Sequence, residues 1–294
     1  MQSFIGTGVA LVTPFKKDFS VDVEALARIV NHVVEGGVEY LVVLGTTAES
    51  ATLSQDEKEL VIDTIIKANA GRLPLVLGVG GNNTHKVVEE LKTRDFSHFS
   101  AILSVSPYYN KPTQEGIYQH YKAIAEAVDL PIILYNVPGR TGVDMLNETV
   151  IRLASVPHIV GIKDATGDVP RGQELLEGLK GTDMIVYSGD DATARELIEL
   201  GAKGNISVTA NIAPKIMSDL CAAALEGNHE LAVQYDQQVA KLNNILFCES
   251  NPIPVKWALH EMELIGTGIR LPLTPLAEQY RTPLREELKA AGII

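Results

Sequence analysis

The chain has 294 residues, 46% of them hydrophobic and 21% charged, and a formal net charge of −12. That length buries a large core without covalent staples, and the acidic balance argues against a nucleic-acid partner, which favours a basic face. Only two cysteines occur, Cys221 and Cys248, with no CxxC or Cys/His cluster, which argues against a disulfide framework and for a reducing compartment.

Met1–Ala10 holds no basic segment followed by an apolar one, so no signal peptide is expected. No apolar run approaches the length of a membrane span, and the expected location is cytoplasmic. Eight short apolar runs rich in β-branched residues read as strands: Gly8–Val12, Tyr40–Leu44, Leu75–Val79, Ala101–Val105, Ile132–Tyr135, Ile159–Ile162, Met184–Tyr187 and Gly204–Val208. Between them, Val23–Glu35, Gln55–Ala70, Thr84–Arg94, Gln114–Ala127 and Ala192–Leu200 repeat apolar residues at helical spacing. Ser54 and Glu57 form a capping-box signature at one helix start.

Alternating strands and helices imply parallel pairing through right-handed crossovers, and apolar strands imply burial on both faces. Eight such units predict an α/β protein, a (β/α)8 TIM barrel. An open doubly wound sheet is the other reading. It would place a glycine-rich phosphate loop after the first strand, where this chain has Thr13-Pro14-Phe15. After Ala210 the segments Pro214–Leu225, His229–Phe247, Pro252–Glu263 and Thr274–Ala291 read as helices. The first completes the barrel, and the other three form a C-terminal three-helix appendage. The expected division is a catalytic barrel over residues 1–227 and a C-terminal helical domain over residues 228–294.

In such barrels the reactive groups gather at the C-terminal ends of the strands. Those ends carry Thr46 and Thr47, Tyr108 and Tyr109, Tyr135, Arg140, Lys163 and Gly189. Lys163 closes an apolar run, where desolvation favours a neutral amine able to attack a ketone and form an imine. The bland alternative is a lysine paired with a neighbouring carboxylate or reaching solvent; the tyrosines and threonines on the same rim favour the nucleophile. Tyr135 offers a phenol for proton transfer or simply fills the rim. Thr46 and Thr47 either bind a carboxylate or satisfy turn backbone groups. Arg140 either grips a carboxylate in a bidentate fork or is merely solvated.

Gly78-Val79-Gly80-Gly81 suits close packing and a turn better than phosphate binding. Asp190 and Asp191 read as a helix N-cap rather than a metal site, and His260 with Glu263 lacks a second histidine. No metal site is assigned.

GTTAES at 45–50, SPYYNKPTQEG at 106–116, YNVPGRTG at 135–142, GIKDATG at 161–167, SGDD at 188–191 and NPIPVKW at 251–257 closely resemble the dihydrodipicolinate synthase family, also called 4-hydroxy-tetrahydrodipicolinate synthase, essentially end to end. The resemblance implies a lyase of lysine and diaminopimelate biosynthesis that condenses pyruvate with aspartate semialdehyde and uses no metal or organic cofactor. By motif, Lys163 matches the Schiff-base lysine, and Tyr135 and Thr46 match two members of a proton relay. Tyr109 matches the third member, which the neighbouring subunit supplies, so a homo-oligomer is implied: at least a dimer, usually a dimer-of-dimers tetramer. Thr47 matches the residue that binds the pyruvyl carboxylate, and Arg140 the residue that receives the aldehyde substrate's carboxylate. Gly189 and Ile206 match backbone positions lining the pocket.

Two departures stand out. Ala48 replaces the family's glycine, and its methyl is expected to shift the loop carrying Thr46 and Thr47 or to be tolerated. In the family's lysine-effector cleft, Ser50, Ala51, Asn82 and Tyr108 match, but Gln55 and Lys58 replace two histidines and Lys86 replaces a glutamate. Two cations facing a cationic ligand repel it, so the cleft reads as degenerate.

Other pyruvate-dependent barrel enzymes, such as an N-acetylneuraminate lyase or a keto-deoxy sugar acid aldolase, keep Lys163 and Tyr135. Arg140 suits a short acidic aldehyde better than their sugar chains. A binding barrel without chemistry is the remaining alternative, and the intact lysine, tyrosines and threonines speak against it.

Overall fold

The structure, a computed structural model, describes residues 4–294. Met1–Ser3, part of the segment read for a leader, lie outside the described residues. The strands are β1 (Gly6–Ala10), β2 (Tyr40–Val43), β3 (Leu75–Gly78), β4 (Ala101–Val105), β5 (Ile132–Asn136), β6 (Ile159–Asp164), β7 (Ile185–Ser188) and β8 (Gly204–Ser207). They form a closed barrel in chain order, as the sequence predicts. The helices are α1 (Val23–Glu35), α2 (Gln55–Asn69), α3 (Thr84–Thr93), α4 (Gln114–Ala125), α5 (Pro138–Thr141), α6 (Asn147–Leu153), α7 (Val169–Gly178), α8 (Ala194–Glu199), α9 (Pro214–Leu225), α10 (His229–Ile245), α11 (Ile253–Glu261) and α12 (Glu278–Ala290). The last three are the expected C-terminal helices.

The chain divides into two compact units, residues 1–74 with 207–294, and residues 75–206. In the first, β1 and β2 pair in parallel through Gly8–Tyr40, Val9–Leu41 and Ala10–Val42. The expected first strand ran two residues further. It ends at Ala10 because the Val12 amide leaves the ladder and donates to Asn211 Oδ1 at 3.2 Å. α1 buries Ala25, Leu26, Ile29, Val30 and Val33, a stripe at helical period, each large side chain contributing about 1.5–3 kcal/mol. The capping box of α2 is formed: Ser54 Oγ accepts from the Glu57 amide at 3.2 Å and Glu57 Oε2 accepts from the Ser54 amide at 2.9 Å. α10 packs on α9 and α12. α12 starts at Glu278 rather than Thr274, since Thr274 precedes Pro275 and residues before proline disfavour helix.

In the second unit, β3 to β7 pair in parallel, and most of their residues are buried on both faces. β5 and β6 extend past their apolar runs to Asn136 and Asp164, so Tyr135 and Lys163 lie inside strands. Polar side chains hide this from a hydrophobicity pattern. Gly80 fits the packing role expected of it: a Cβ there would lie 2.9 Å from Val105 Cγ1 and 3.0 Å from its amide nitrogen. Asp190 Oδ1 accepts from the Ala192 and Thr193 amides at 3.0 and 3.2 Å, capping the turn before α8. Asp191 is no cap: it is buried and accepts from Asn205 Nδ2 at 2.6 Å, tying the end of β7 to β8.

Candidate active site

Tyr135 on β5 and Lys163 on β6 are register partners, flanked on β7 by Tyr187 opposite Lys163. Lys163 is 5% exposed, and its Nζ stands 4.5 Å from the centre of the Tyr135 ring. The aromatic face packs against the end of the side chain and orients the amine. The carboxylate next in sequence does not pair with it. Asp164 accepts from the Thr166 amide at 2.9 Å, and its other oxygen lies 3.6 Å from Arg171 Nε. Tyr187, which sequence reasoning passed over, is 1% exposed, and burial raises its phenol pKa, so the group beside the amine stays neutral. Its signal is its place near the C-terminal end of β7, on the strand next to that of Lys163.

Gly189 follows β7, and its amide donates to Asp164 O at 2.7 Å. A Cβ there would lie 2.8 Å from Lys163 Cε and 2.7 Å from Ala165 Cβ. Glycine is therefore the residue that leaves room for the lysine stem. Gly189→Ala is expected to lower kcat by about 10- to 100-fold by displacing the amine. Steady-state assays check this, and a wild-type kcat removes the steric role. Ile206 on β8 is fully buried.

Arg140 lies in α5, a single helical turn opened by Pro138 and closed by Gly142 at φ 73°, and not in an irregular loop. The arginine is exposed. Nearby, the Tyr109 amide donates to Thr141 O at 3.1 Å. Tyr109 is 87% exposed and holds φ at 73°, a left-handed conformation rare for a bulky residue. Strained backbone that presents a bare ring is a recognised mark of functional loops.

Thr46 and Thr47 belong to the first unit, on a 3-10 turn after β2 that ends at Ala48. Thr47 is buried and Thr46 half-buried. Asn251 Nδ2 donates to Thr47 Oγ1 at 2.9 Å. Ala48 is buried outside the left-handed region, so its methyl costs the turn no backbone strain. The next residue, Glu49, takes the left-handed conformation at φ 52° and pairs with buried Lys256. Asn251 and Lys256 were visible in the NPIPVKW motif, but nothing in that motif shows that both reach back to the loop after β2.

Ser50, Ala51, Gln55 and Lys58 lie in this unit, between that loop and the first turn of α2. Gln55 is exposed and donates to Glu59 Oε1 at 2.7 Å, and Lys58 is half-buried. Asn82, Lys86 and Tyr108 lie in the other unit. The Asn82 carbonyl accepts from Asn110 Nδ2 at 2.9 Å; Lys86 and Tyr108 are exposed. Among the described residues no group of three or more His, Cys, Asp or Glu is placed to hold a metal ion, and no helix is long and apolar enough to cross a membrane.

The fold and the strand-end amine define a class: (β/α)8 barrels with a buried lysine set among tyrosines at the functional rim. The model of the dihydrodipicolinate synthetase family matches residues 3–291, and the chain belongs to that family. The 4-hydroxy-tetrahydrodipicolinate synthase of Flavobacterium psychrophilum is 59% identical, over 97% of each chain. A solved structure of the chloride-inhibited dihydrodipicolinate synthase from Acinetobacter baumannii complexed with pyruvate is 60% identical, with a TM-score of 0.96 over 99% of each chain. A monomeric dihydrodipicolinate synthase variant is 42% identical, with a TM-score of 0.96 over 100% of this chain and 98% of its own.

Proposed function

We infer that this chain is a Schiff-base-forming lyase that condenses pyruvate with aspartate 4-semialdehyde, the reaction of a 4-hydroxy-tetrahydrodipicolinate synthase in lysine and diaminopimelate biosynthesis. The observation that carries the reading is the buried Lys163 amine held over the Tyr135 ring, in a chain 59% identical to an enzyme of that name. The Lys163 amine adds to the pyruvate ketone, and the carbinolamine loses water to give an iminium. The iminium withdraws electrons, the methyl group gives up a proton, and the resulting enamine carbon attacks the aldehyde. The amine of the second substrate then displaces Lys163 by transimination and closes the ring.

In this reading Tyr135, Thr46 and Tyr109 relay the protons, Thr47 binds the pyruvyl carboxylate and Arg140 that of the semialdehyde. Gly189 and Ile206 line the pocket with backbone. The bare Tyr109 ring supports assembly with a second copy that receives it, hence at least a dimer, and a dimer-of-dimers tetramer in its full form. The catalytic barrel is residues 1–227 and the C-terminal domain residues 228–294. The sparse cysteines support a cytoplasmic location. The test is an assay of the purified chain with pyruvate and aspartate semialdehyde beside one with N-acetylneuraminate. Condensation in the first and no cleavage in the second is expected; the reverse establishes the sugar-acid lyase alternative.

Ser50, Ala51, Gln55, Lys58, Asn82, Lys86 and Tyr108 form a degenerate effector cleft in this reading. Exposed Lys86 and half-buried Lys58 repel a cationic ligand. Free lysine at low millimolar concentration is expected to leave the rate unchanged in steady-state assays, and strong inhibition contradicts this.

A further inference from the structure

The residues after Tyr135 and Lys163 are also register partners: Asn136 on β5 and Asp164 on β6. Side chains alternate along a strand, so these two point away from the face that carries the amine and the phenol. Both are buried. One guanidinium, Arg171 in the first turn of α7, connects them.

Toward β5, Arg171 Nη1 donates to both oxygens of Asp144 at 2.9 Å, and Nη2 donates to Met145 O at 2.6 Å. Asp144 Oδ1 also accepts from Asn136 Nδ2 at 2.8 Å, and Asn136 Oδ1 accepts from the Met145 amide at 3.0 Å. Toward β6, Arg171 Nε lies 3.6 Å from Asp164 Oδ2, and neither of these two buried atoms has a hydrogen-bond partner. The link to β6 is thus a charge contact, and the link to β5 is a bidentate fork passed on by Asp144. Burial raises the Asp164 carboxyl pKa above its usual range and Asp144 adds to the rise, while Arg171 opposes both. Without the guanidinium, Asp164 at the end of β6 and Asp144 in the loop that anchors Asn136 of β5 lose their shared counter-charge.

We propose that Arg171 is a positioning residue, which holds the ends of β5 and β6 in the register that sets the Lys163 amine against Tyr135. This rests on the reading of Lys163 as the Schiff-base lysine. A displacement of about 1 Å at a reacting group costs about 10²-fold in rate. A clamp on the reverse side of both strands therefore acts on turnover without touching substrate.

The test follows the rate at which a borohydride-trapped pyruvyl adduct accumulates on Lys163 by peptide mass mapping. It compares wild type, Arg171→Lys, Arg171→Met and the double variant Asp144→Asn/Arg171→Met. Arg171→Met is expected to trap at least about tenfold more slowly, with KM for pyruvate changed less than about threefold. Arg171→Lys keeps the charge but loses the fork and is expected to fall between. The double variant removes one opposed acid and is expected to recover part of the rate, with melting temperatures of all variants measured beside the rates so that a trapping loss without a matching loss of stability marks the positioning role. Wild-type trapping rates in both single variants overturn the proposal; if Arg171→Met does not fold, the Arg171→Lys rate decides alone. An adduct on Lys163 in wild type with unchanged variants removes the positioning role only. No adduct on Lys163 in wild type overturns the catalytic reading, and the proposal with it.

Discussion

Lys163→Met is expected to abolish the borohydride-trapped pyruvyl adduct and to lower turnover by about 10³-fold or more, the scale on which enzymes lose their nucleophile. Methionine is the informative replacement. It keeps the unbranched stem that runs past Gly189 and under the Tyr135 ring, where the lysine Nζ lies 4.5 Å from the ring centre. Packing is preserved and only the amine is removed. Lys163 is 5% exposed, so methionine also replaces a buried polar group with an apolar one. The variant should therefore unfold at or above the wild-type temperature while being inactive. Peptide mapping after reduction with pyruvate and a thermal melt check both halves. An active variant, or an adduct on another lysine, ends the Schiff-base reading.

Lys256→Met is expected to do the reverse, damaging stability first. The Lys256 and Glu49 side chains are 4% and 1% exposed, with Nζ 2.5 Å from Oε1. Lys256 Nζ also lies 4.3 Å from the centre of the Phe15 ring, and Glu49 Oε2 accepts from the Arg270 amide at 3.2 Å. Removing the lysine leaves a buried carboxylate that keeps the Arg270 amide as a hydrogen-bond partner and the Arg270 guanidinium as its nearby positive charge. Breaking one side of such a pair costs about 3–5 kcal/mol. At about 2–4 °C per kcal/mol for a domain of this size, the melting temperature falls by roughly 6–20 °C. Lys256→Met combined with Glu49→Gln removes the stranded charge and is expected to recover part of the loss.

The pH dependence gives a second readout of the same pair. Burial lowers the Lys256 pKa from its ordinary 10.5 to about 8, against the pull of Glu49. Between those two values the unfolded chain holds the extra proton, so this group makes stability rise with pH through that window. The Lys256→Met variant lacks that rise. A single variant that melts within a degree or two of wild type shows that the pair contributes little.

The barrel was legible because its eight strands are apolar on both faces and its long amphipathic helices keep a clear period. What escaped the sequence was short or polar. Pro138–Thr141 is one turn of helix, too brief for any period to register, and it changes the setting of Arg140. The last residues of β5 and β6 are Asn136 and Asp164, which a hydrophobic pattern assigns to loops. Lys163, Tyr135 and Gly189 could be singled out because strand ends are where such barrels place chemistry. The groups that support them could not. Arg171 is one of several arginines on amphipathic helices, and only the fold shows that it faces Asp144 and Asp164. Asn251 reaches Thr47 across about two hundred positions of sequence, a distance no local motif encodes.

That long reach bears on the order in which the protein can be built. Residues 75–206 form a compact unit from one continuous stretch, whereas residues 1–74 share theirs with residues 207–294. On the ribosome the middle of the chain can close on itself as soon as it emerges. The opening segment, with its paired strands β1 and β2, must wait. The turn carrying Thr46 and Thr47 gains Asn251, Lys256 and Arg270 only when translation is nearly finished. A nascent chain stalled before residue 251 therefore has no anchor for the turn that carries Thr46 and Thr47.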